Sequence, residues 1–421
     1  MEKSLNINSR AERIASVRPN SLFVKIVLGI LQKMSKGTLN VVFPWGEELT
    51  FGNGDNTMSA NIKITDERFF KKVVLYGDIG FGEAYVDGYW ETDSITNVIS
   101  WMILNVENNP AISGGSRRFS PISLLKYVNK IYHRMNLNSK KGSRKNISSH
   151  YDLNNDFFRL WLDESMTYSS AIFKSEQTTL LEGQIEKYDR ICRELKIKPS
   201  DHVLEIGCGW GGFSAYAAKN YGCSITAVTI SKEQYDFAVK RIQDNGLSGQ
   251  VEVLLKDYRD IEGQFDKVVS IEMIEAVGHE FLPAYFSKID KLLKKDGAVA
   301  LQAITSHDSN YRQLRNGVDW IQKHIFPGSL LPSIGIINEV VNKTSNMHLH
   351  SLKGFGYDYA RTLKEWREKF NLRIDDIMQL KFDTEFVRKW NYYLSYCEAA
   401  FKMRNINVVQ LVYTRPNNRN L

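Results

Sequence analysis

Residues 203–212 read VLEIGCGWGG, an apolar run that ends in an acid and opens into a glycine-rich turn. Gly207 and Gly209 let the chain turn sharply and let a ligand approach main chain where a Cβ would collide. Glu205 stands where a carboxylate accepts hydrogen bonds from a ligand's polar groups. A doubly wound sheet presents backbone to a nucleotide-like cofactor in this way. A dinucleotide would call for G-x-G-x-x-G and an acid about twenty residues further on, at the end of the second strand. Here the second strand, 224–230, ends in Thr229 and Ser231, which argues against a dinucleotide. Ser231 is placed as the N-cap of the following helix. Asp257 and Tyr258 follow the third strand, where a short acid accepts from an adenine amino group and an aromatic ring lies against the base. Ordinary capping and an ordinary surface acid also explain these residues singly, but their positions agree with one cofactor pose.

The elements that must position this loop are strands at 202–208, 224–230, 251–256, 266–271 and 298–304, with helices after each, most clearly 231–245 and 281–294. Helical material at 155–162 and 180–195 precedes them. Strand–helix alternation means a mostly parallel sheet covered on both faces, the α/β class in its Rossmann-like, doubly wound form. The stretch 306–337, rich in aromatic residues and prolines, interrupts the alternation and is expected to cover the carboxyl edge of the sheet, where ligands bind in such folds. Upstream, alternating patterns at 38–43 and 60–64, then 81–90 and an apolar helix, predict a small α+β domain. The expected organisation is an N-terminal domain over 1–110, a basic segment over 111–149 and a catalytic domain over 150–421.

The chain has 421 residues, enough for two domains, and 55 basic against 48 acidic side chains make it +7. That excess is too mild to demand a nucleic-acid partner, so its distribution matters more. Between Pro110 and His150 there is no Asp or Glu, and nine Lys and Arg lie among apolar residues at near-helical spacing. Such a segment either lies on anionic lipid, each cation contributing about 1 kcal/mol, or is a solvated linker whose helix packs on its own core. Residues 22–31, apolar but for Lys25, are about half the length of a bilayer span and read as an amphipathic helix. Cys192, Cys208, Cys223 and Cys397 show neither metal-ligand spacing nor a disulfide framework, which fits a reducing cytoplasm, and no metal site is expected.

The E-x-G-x-G turn resembles the S-adenosylmethionine (SAM) loop of class I methyltransferases. Seven stretches, HYDLNNDFFRLWLDESMTYSSAIF, LEIGCGWGGF, VTISKEQ, SIEMIEAVG, DWIQKHIFPGSLLPS, DYARTLKEW and YYLSYCEAAFKMRNINVVQLVY, resemble the cyclopropane-fatty-acyl-phospholipid and mycolic acid cyclopropane synthases in the family's order. The run GEAYVDGYW is similar to the N-terminal domain of the longer, phospholipid-acting members. The resemblance implies attack of an acyl double bond on the sulfonium methyl, then proton loss and ring closure. Such chemistry needs alignment, exclusion of water, aromatic faces for the cation and a base. Tyr311, Trp320, Phe326, Phe355, Tyr359, Tyr392, Tyr393, Tyr396 and Phe401 supply aromatic rings, most as core, with Tyr359 expected on an acyl tunnel.

Carried over residue by residue, the implied SAM contacts are Tyr168, Ser169, Gly207, Gly209, Trp210, Thr229, Gln234, Asp257 and Tyr258. The family's bicarbonate, which takes the proton, would be held by Glu275, Tyr359 and Ile304, with Ser170 standing where a cysteine is usual and Gln302 where a histidine is. Glutamine donates a hydrogen bond to an anion but carries no positive charge and shuttles no proton. That departure leaves C-methylation without ring closure as an alternative outcome. A non-enzymatic lipid-binding module is a further alternative, which the intact loop residues oppose. SIEMIEAVG offers neither the N-P-P-Y motif nor the catalytic cysteine of nucleic-acid methyltransferases, so no nucleic-acid partner is expected. The expected partner is a phospholipid bilayer, met peripherally from the cytoplasm, and a homodimer would help engage it. Glu272 is read as lying near the cofactor or capping strand four, His150 as a candidate or a structural residue, and Cys397 as apolar packing.

Overall fold

Valine, isoleucine and alanine fill the strands on either side of the glycine loop, and in the computed structural model they pair into one large sheet. The structure describes residues 21–54, 58–106 and 154–421. The basic segment at 111–149 and His150 lie outside the described residues. The described residues fall into two compact units, one up to 106 and the other from 154 onward.

The first unit begins with α1 (Leu22–Leu31), which buries Val24, Val27, Leu28 and Leu31 and leaves Leu22 and Ile26 exposed, as the amphipathic reading expects. Strands β1 (Thr38–Val42), β2 (Glu48–Gly52) and β3 (Ser59–Ile64) follow, then α2 (Arg68–Val86), β4 (Trp90–Glu91) and α3 (Ile95–Val106). The sheet order is β2-β1-β3-β4. Residues 81–86 are not strand, contrary to the alternation at 81–90. They form the last turns of α2, after a break at Gly77 (φ 61°), because Phe81 and Ala84 turn inward together at helical spacing and Trp90 donates to the Phe81 carbonyl.

The second unit opens with α4 (Asn155–Arg159) and α5 (Leu180–Glu194). It then alternates through β5 (His202–Ile206), α6 (Gly212–Tyr221), β6 (Ser224–Thr229), α7 (Lys232–Asp244), β7 (Val251–Leu255), β8 (Phe265–Ile271), α8 (Leu282–Leu292) and β9 (Leu293–Ser306). Helices α9 (Asp308–Asn316), α10 (Trp320–His324) and α11 (Ile334–Thr344), strand β10 (His348–Gly354), helices α12 (Gly356–Leu372), α13 (Ile374–Gln379) and α14 (Thr384–Lys402), and strand β11 (Ile406–Thr414) complete it. The seven strands run β10-β11-β9-β8-β5-β6-β7, parallel from β9 to β7, with β11 and β10 added antiparallel. Alternate residues serve opposite faces: Leu204 and Ile206 join α8 and α11, while Val203 joins α5 and α6. The strand order reverses between β5 and β8, so the turns after these two strands diverge and leave a crevice at their carboxyl ends.

Candidate active site

The turn after β5 is held by backbone. Gly207 and Cys208 both donate their N–H to the Val228 carbonyl at 2.9 and 3.0 Å, which ties the loop to the end of β6. Gly207 (φ 81°) and Gly209 (φ 53°) are left-handed. A Cβ at Gly207 would lie 2.8 Å from Met273 Cγ, whereas one at Gly209 would meet nothing within 4 Å. Gly209 therefore faces open space that a ligand can enter to reach main chain.

Polar side chains around this turn brace one another. Glu205 is buried, and its carboxylate accepts from the Ser214 hydroxyl in the first turn of α6. Burial pushes its pKa up to about 8. Through this one oxygen the acid of the motif also ties strand to helix, beside the ligand role read from the sequence. Ser231 caps α7 by accepting from the Gln234 N–H, and Thr229 donates to Gln234 Oε1 at 2.9 Å. Asp257 is likewise engaged internally: Arg259 Nε donates at 2.8 Å to one oxygen and a terminal guanidinium nitrogen at 2.7 Å to the other. Tyr258 stands edge-on to Tyr285, with centroids 5.3 Å apart. Trp210 donates to Asn155 at 2.7 Å, which ties α4 to the loop.

Facing this turn, the end of β8 carries a cluster of side chains. Glu272 has a left-handed backbone (φ 49°), which costs a non-glycine residue on the order of 1–3 kcal/mol and persists when surrounding contacts over-determine it. Those contacts are present. The Ser170 N–H donates to Glu272 Oε1 at 2.9 Å, Gln302 Nε2 donates to the same oxygen at 2.8 Å, and the Tyr359 hydroxyl donates to Oε2 at 2.8 Å. The Gln302 amide is oriented in turn, because its oxygen accepts from Gln410 Nε2 at 3.0 Å. Lys187 is fully buried and donates to the Ser169 hydroxyl at 2.6 Å and to Gln184. Burial lowers its pKa, and Glu272 is foremost among the carboxylates that oppose this shift. Glu275 sits one turn on, where the Ile304 N–H donates to one of its oxygens. Among the described residues its other, buried oxygen has no hydrogen-bond partner, and burial together with the charge of Glu272 pushes its pKa up to about 8.

Of the five residues assigned to bicarbonate, then, Ser170, Gln302 and Tyr359 converge on Glu272, and Ile304 alone donates to Glu275. Aromatic rings wall the cluster. Tyr359 packs against Phe401 at 4.4 Å and edge-on to Trp366 at 6.1 Å, and the Tyr168 hydroxyl lies 2.7 Å from that of Tyr393. The aromatic stretch after β9 reaches this edge, with Leu330 donating to the Glu275 carbonyl and Phe326 edge-on to Tyr393. Cys397 has its thiol pKa pushed up by burial, which suits packing better than thiolate chemistry. Among the described residues no group of acids, histidines and cysteines could hold a metal.

Sequence reasoning left Glu272 undecided and missed Lys187, Gln184 and Gln410. A signal was present. Gln184 and Lys187 interrupt the buried stripe of α5 formed by Leu180, Gly183, Tyr188 and Ile191, and Gln410 interrupts the apolar run of β11. Buried polar groups need partners, and these three supply them to one another and to Gln302.

Comparison with known proteins shows what the chain is similar to. Residues 138–411 match the family model described as mycolic acid cyclopropane synthetase. The chain is 38% identical over 353 residues to the tuberculostearic acid methyltransferase UfaA1 of Mycobacterium tuberculosis, covering 82% of this chain and 81% of that protein. It is 37% identical over 360 residues to the cyclopropane-fatty-acyl-phospholipid synthase of Escherichia coli, covering 85% and 88%. Among solved structures, mycolic acid cyclopropane synthase CmaA1 complexed with SAH and CTAB superimposes with a TM-score of 0.60 at 29% identity, covering 65% of this chain and 98% of that one.

Proposed function

The chain belongs to the mycolic acid cyclopropane synthetase family, and on that premise we propose that it transfers a one-carbon unit from SAM to the cis double bond of unsaturated acyl chains in membrane phospholipid, forming cyclopropane rings. One juxtaposition supports this reading above all: the open main chain at Gly209 lies across the β5/β8 crevice from an aromatic-walled carboxylate cluster. Gly207, Gly209, Trp210, Thr229, Gln234, Asp257, Tyr258, Tyr168 and Ser169 would hold SAM. When bound, SAM would supply a methyl group on positively charged sulfur, an electrophile for the π electrons of the alkene.

The protein's own residues serve the cation left on the acyl chain. Tyr359, Phe401 and Trp366 present aromatic faces and edges that exclude water, and a ring face near positive charge stabilises it by roughly 0.5–2 kcal/mol. A bound bicarbonate fits poorly, because the donors that would hold it are committed to Glu272 and, for the Ile304 N–H, to Glu275.

Among the described residues no helix is long and apolar enough to cross a membrane. In this reading the first unit docks on the bilayer from the cytoplasmic side through exposed Leu22, Ile26, Trp45 and Tyr76, and a homodimer would double that contact. The decisive experiment incubates the purified protein with labelled SAM and liposomes of defined unsaturated phospholipid, then identifies the acyl product by mass spectrometry with olefin derivatisation. The expected product is one carbon heavier and carries no derivatisable double bond. A surviving double bond in the heavier chain would replace ring closure with methylene branching, and the absence of any labelled acyl product would reject the reading.

A further inference from the structure

Resting on that reading, we propose that Glu272 is the proton acceptor of the reaction, a carboxylate built into the chain that takes the place of an exogenous anion. Three observations carry this. Three of the donors assigned to such an anion, the Ser170 N–H, the Gln302 amide and the Tyr359 hydroxyl, are aimed at Glu272, and the fourth, the Ile304 N–H, at Glu275. The carboxylate is held in a left-handed backbone conformation at the carboxyl end of β8, and the next residue, Met273, packs against the glycine turn. The Gln302 side chain is an amide, which relays no proton, and Gln410 fixes it as a donor toward Glu272.

The charged and titratable groups around Glu272 agree with this role. They are Lys187 on α5, Tyr359 on α12 and Glu275 in the turn after β8. Burial raises the Glu272 pKa above the ordinary carboxylate range, which strengthens it as a base. Gln302, the field of Lys187, Ser170 and Tyr359 oppose that rise and favour the ionised form. Glu275, pushed up to about 8, mostly keeps its proton at neutral pH, and the three donors on Glu272 are of the kind that favours a charged carboxylate. Glu272 Oε1 carries two N–H donors and Oε2 one hydroxyl, which leaves Oε2 the more available oxygen. In the step itself, a C–H bond of the newly attached methyl breaks. Its proton goes to Glu272, its electron pair forms the ring-closing C–C bond, the cation is discharged, and Glu272 becomes a neutral acid.

The test uses the full chain, labelled SAM and unsaturated phospholipid liposomes in buffer freed of carbon dioxide. Wild type should turn over equally with and without added bicarbonate. Glu272→Gln should lower kcat by about 10²–10⁴-fold while lipid KM and calorimetric SAH affinity stay within roughly twofold. A wild type that requires bicarbonate, or a Glu272→Gln that keeps near-normal kcat, overturns the proposal. Should Glu272→Gln fail to fold, Tyr359→Phe decides: loss of a donor to the charged carboxylate raises its pKa and moves the acid limb of the kcat profile to higher pH, and an unmoved limb overturns the proposal. Infrared difference spectra of the ligand-free proteins at neutral pH add a readout independent of turnover. A carboxylate band missing from Glu272→Gln supports the proposal, and a missing carboxylic acid band overturns it. A wild type that binds SAH but labels no acyl chain refutes the proposed function instead, and the infrared result still decides which carboxyl is charged.

Discussion

The turns after β5 and β8 face one crevice and are built in opposite ways. The first is made mainly by neighbours in sequence, with the Val228 carbonyl of β6 as an anchor: Gly207 and Gly209 adopt left-handed backbone, and Glu205 grips Ser214 nine residues on. The second gathers Ser170, Lys187, Glu272, Gln302, Tyr359 and Gln410 from segments spread over 240 positions of the chain. A backbone cradle depends on local conformation, whereas a side-chain cluster depends on the packing of α5, α12, β8, β9 and β11 together. The difference teaches that the cradle should resist distant changes and the cluster should not.

The largest test of this contrast is pH. Glu205 belongs to the cradle and Glu275 adjoins the cluster, and both carboxyls rise from 4.5 to about 8 on burial. The native state holds these protons more tightly than the unfolded chain does, so stability falls as pH rises from about 4.5 through 8, by on the order of a few kcal/mol for each group. Urea denaturation at intervals across that range should show the fall, and Glu205→Gln and Glu275→Gln should each flatten it. A slope unchanged in both variants would mean that neither carboxyl is buried as described.

Gly209→Ala comes next. Its Cβ meets no protein atom, so only the left-handed conformation is penalised, by about 1–2 kcal/mol, while the space a ligand needs is filled. SAH affinity should fall by about 100-fold, roughly 2.7 kcal/mol, with a loss of stability no larger than that conformational cost. Unchanged affinity would move the cofactor away from this turn. Gln410→Leu probes the cluster at one remove, since it frees the Gln302 amide without touching Glu272. We expect kcat to drop by about tenfold with SAH affinity unaltered, and equal losses in both would show that cradle and cluster are not separable. The smallest effect belongs to Ser231→Ala, which removes the N-cap of α7 and should cost about 1 kcal/mol, or a few degrees in Tm.

The same contrast explains what could be read in advance. The strands around the glycine turn were legible from their apolar runs and intervening helices, and their bounds fall within a few residues of the reading, except that β9 begins at Leu293 rather than 298. Strands β10 and β11 were not read as strands. Part of β10 alternates polar residues along a sheet edge, and β11 gains its partners only when β9 is already in place. The misread run at 81–90 shows the converse, since period-two alternation gave way to helical packing of Phe81 and Ala84 around Trp90. At the site, Gln302 stood out as a departure, but its partner did not, because Gln302 and Glu272 are 30 positions apart and meet only across β8 and β9.

The order of strands and helices around the glycine turn, the turn itself and the cap at Ser231 were determined by the sequence alone, because each depends on backbone conformation and hydrogen bonds within a few residues. How firmly the buried carboxyls of Glu272 and Glu275 hold their protons was decided by the tertiary structure. Desolvation and the count of donors around Glu272 and Glu275 depend on Ser170, Gln302, Tyr359 and Lys187 arriving from separate elements, and no local pattern encodes that meeting.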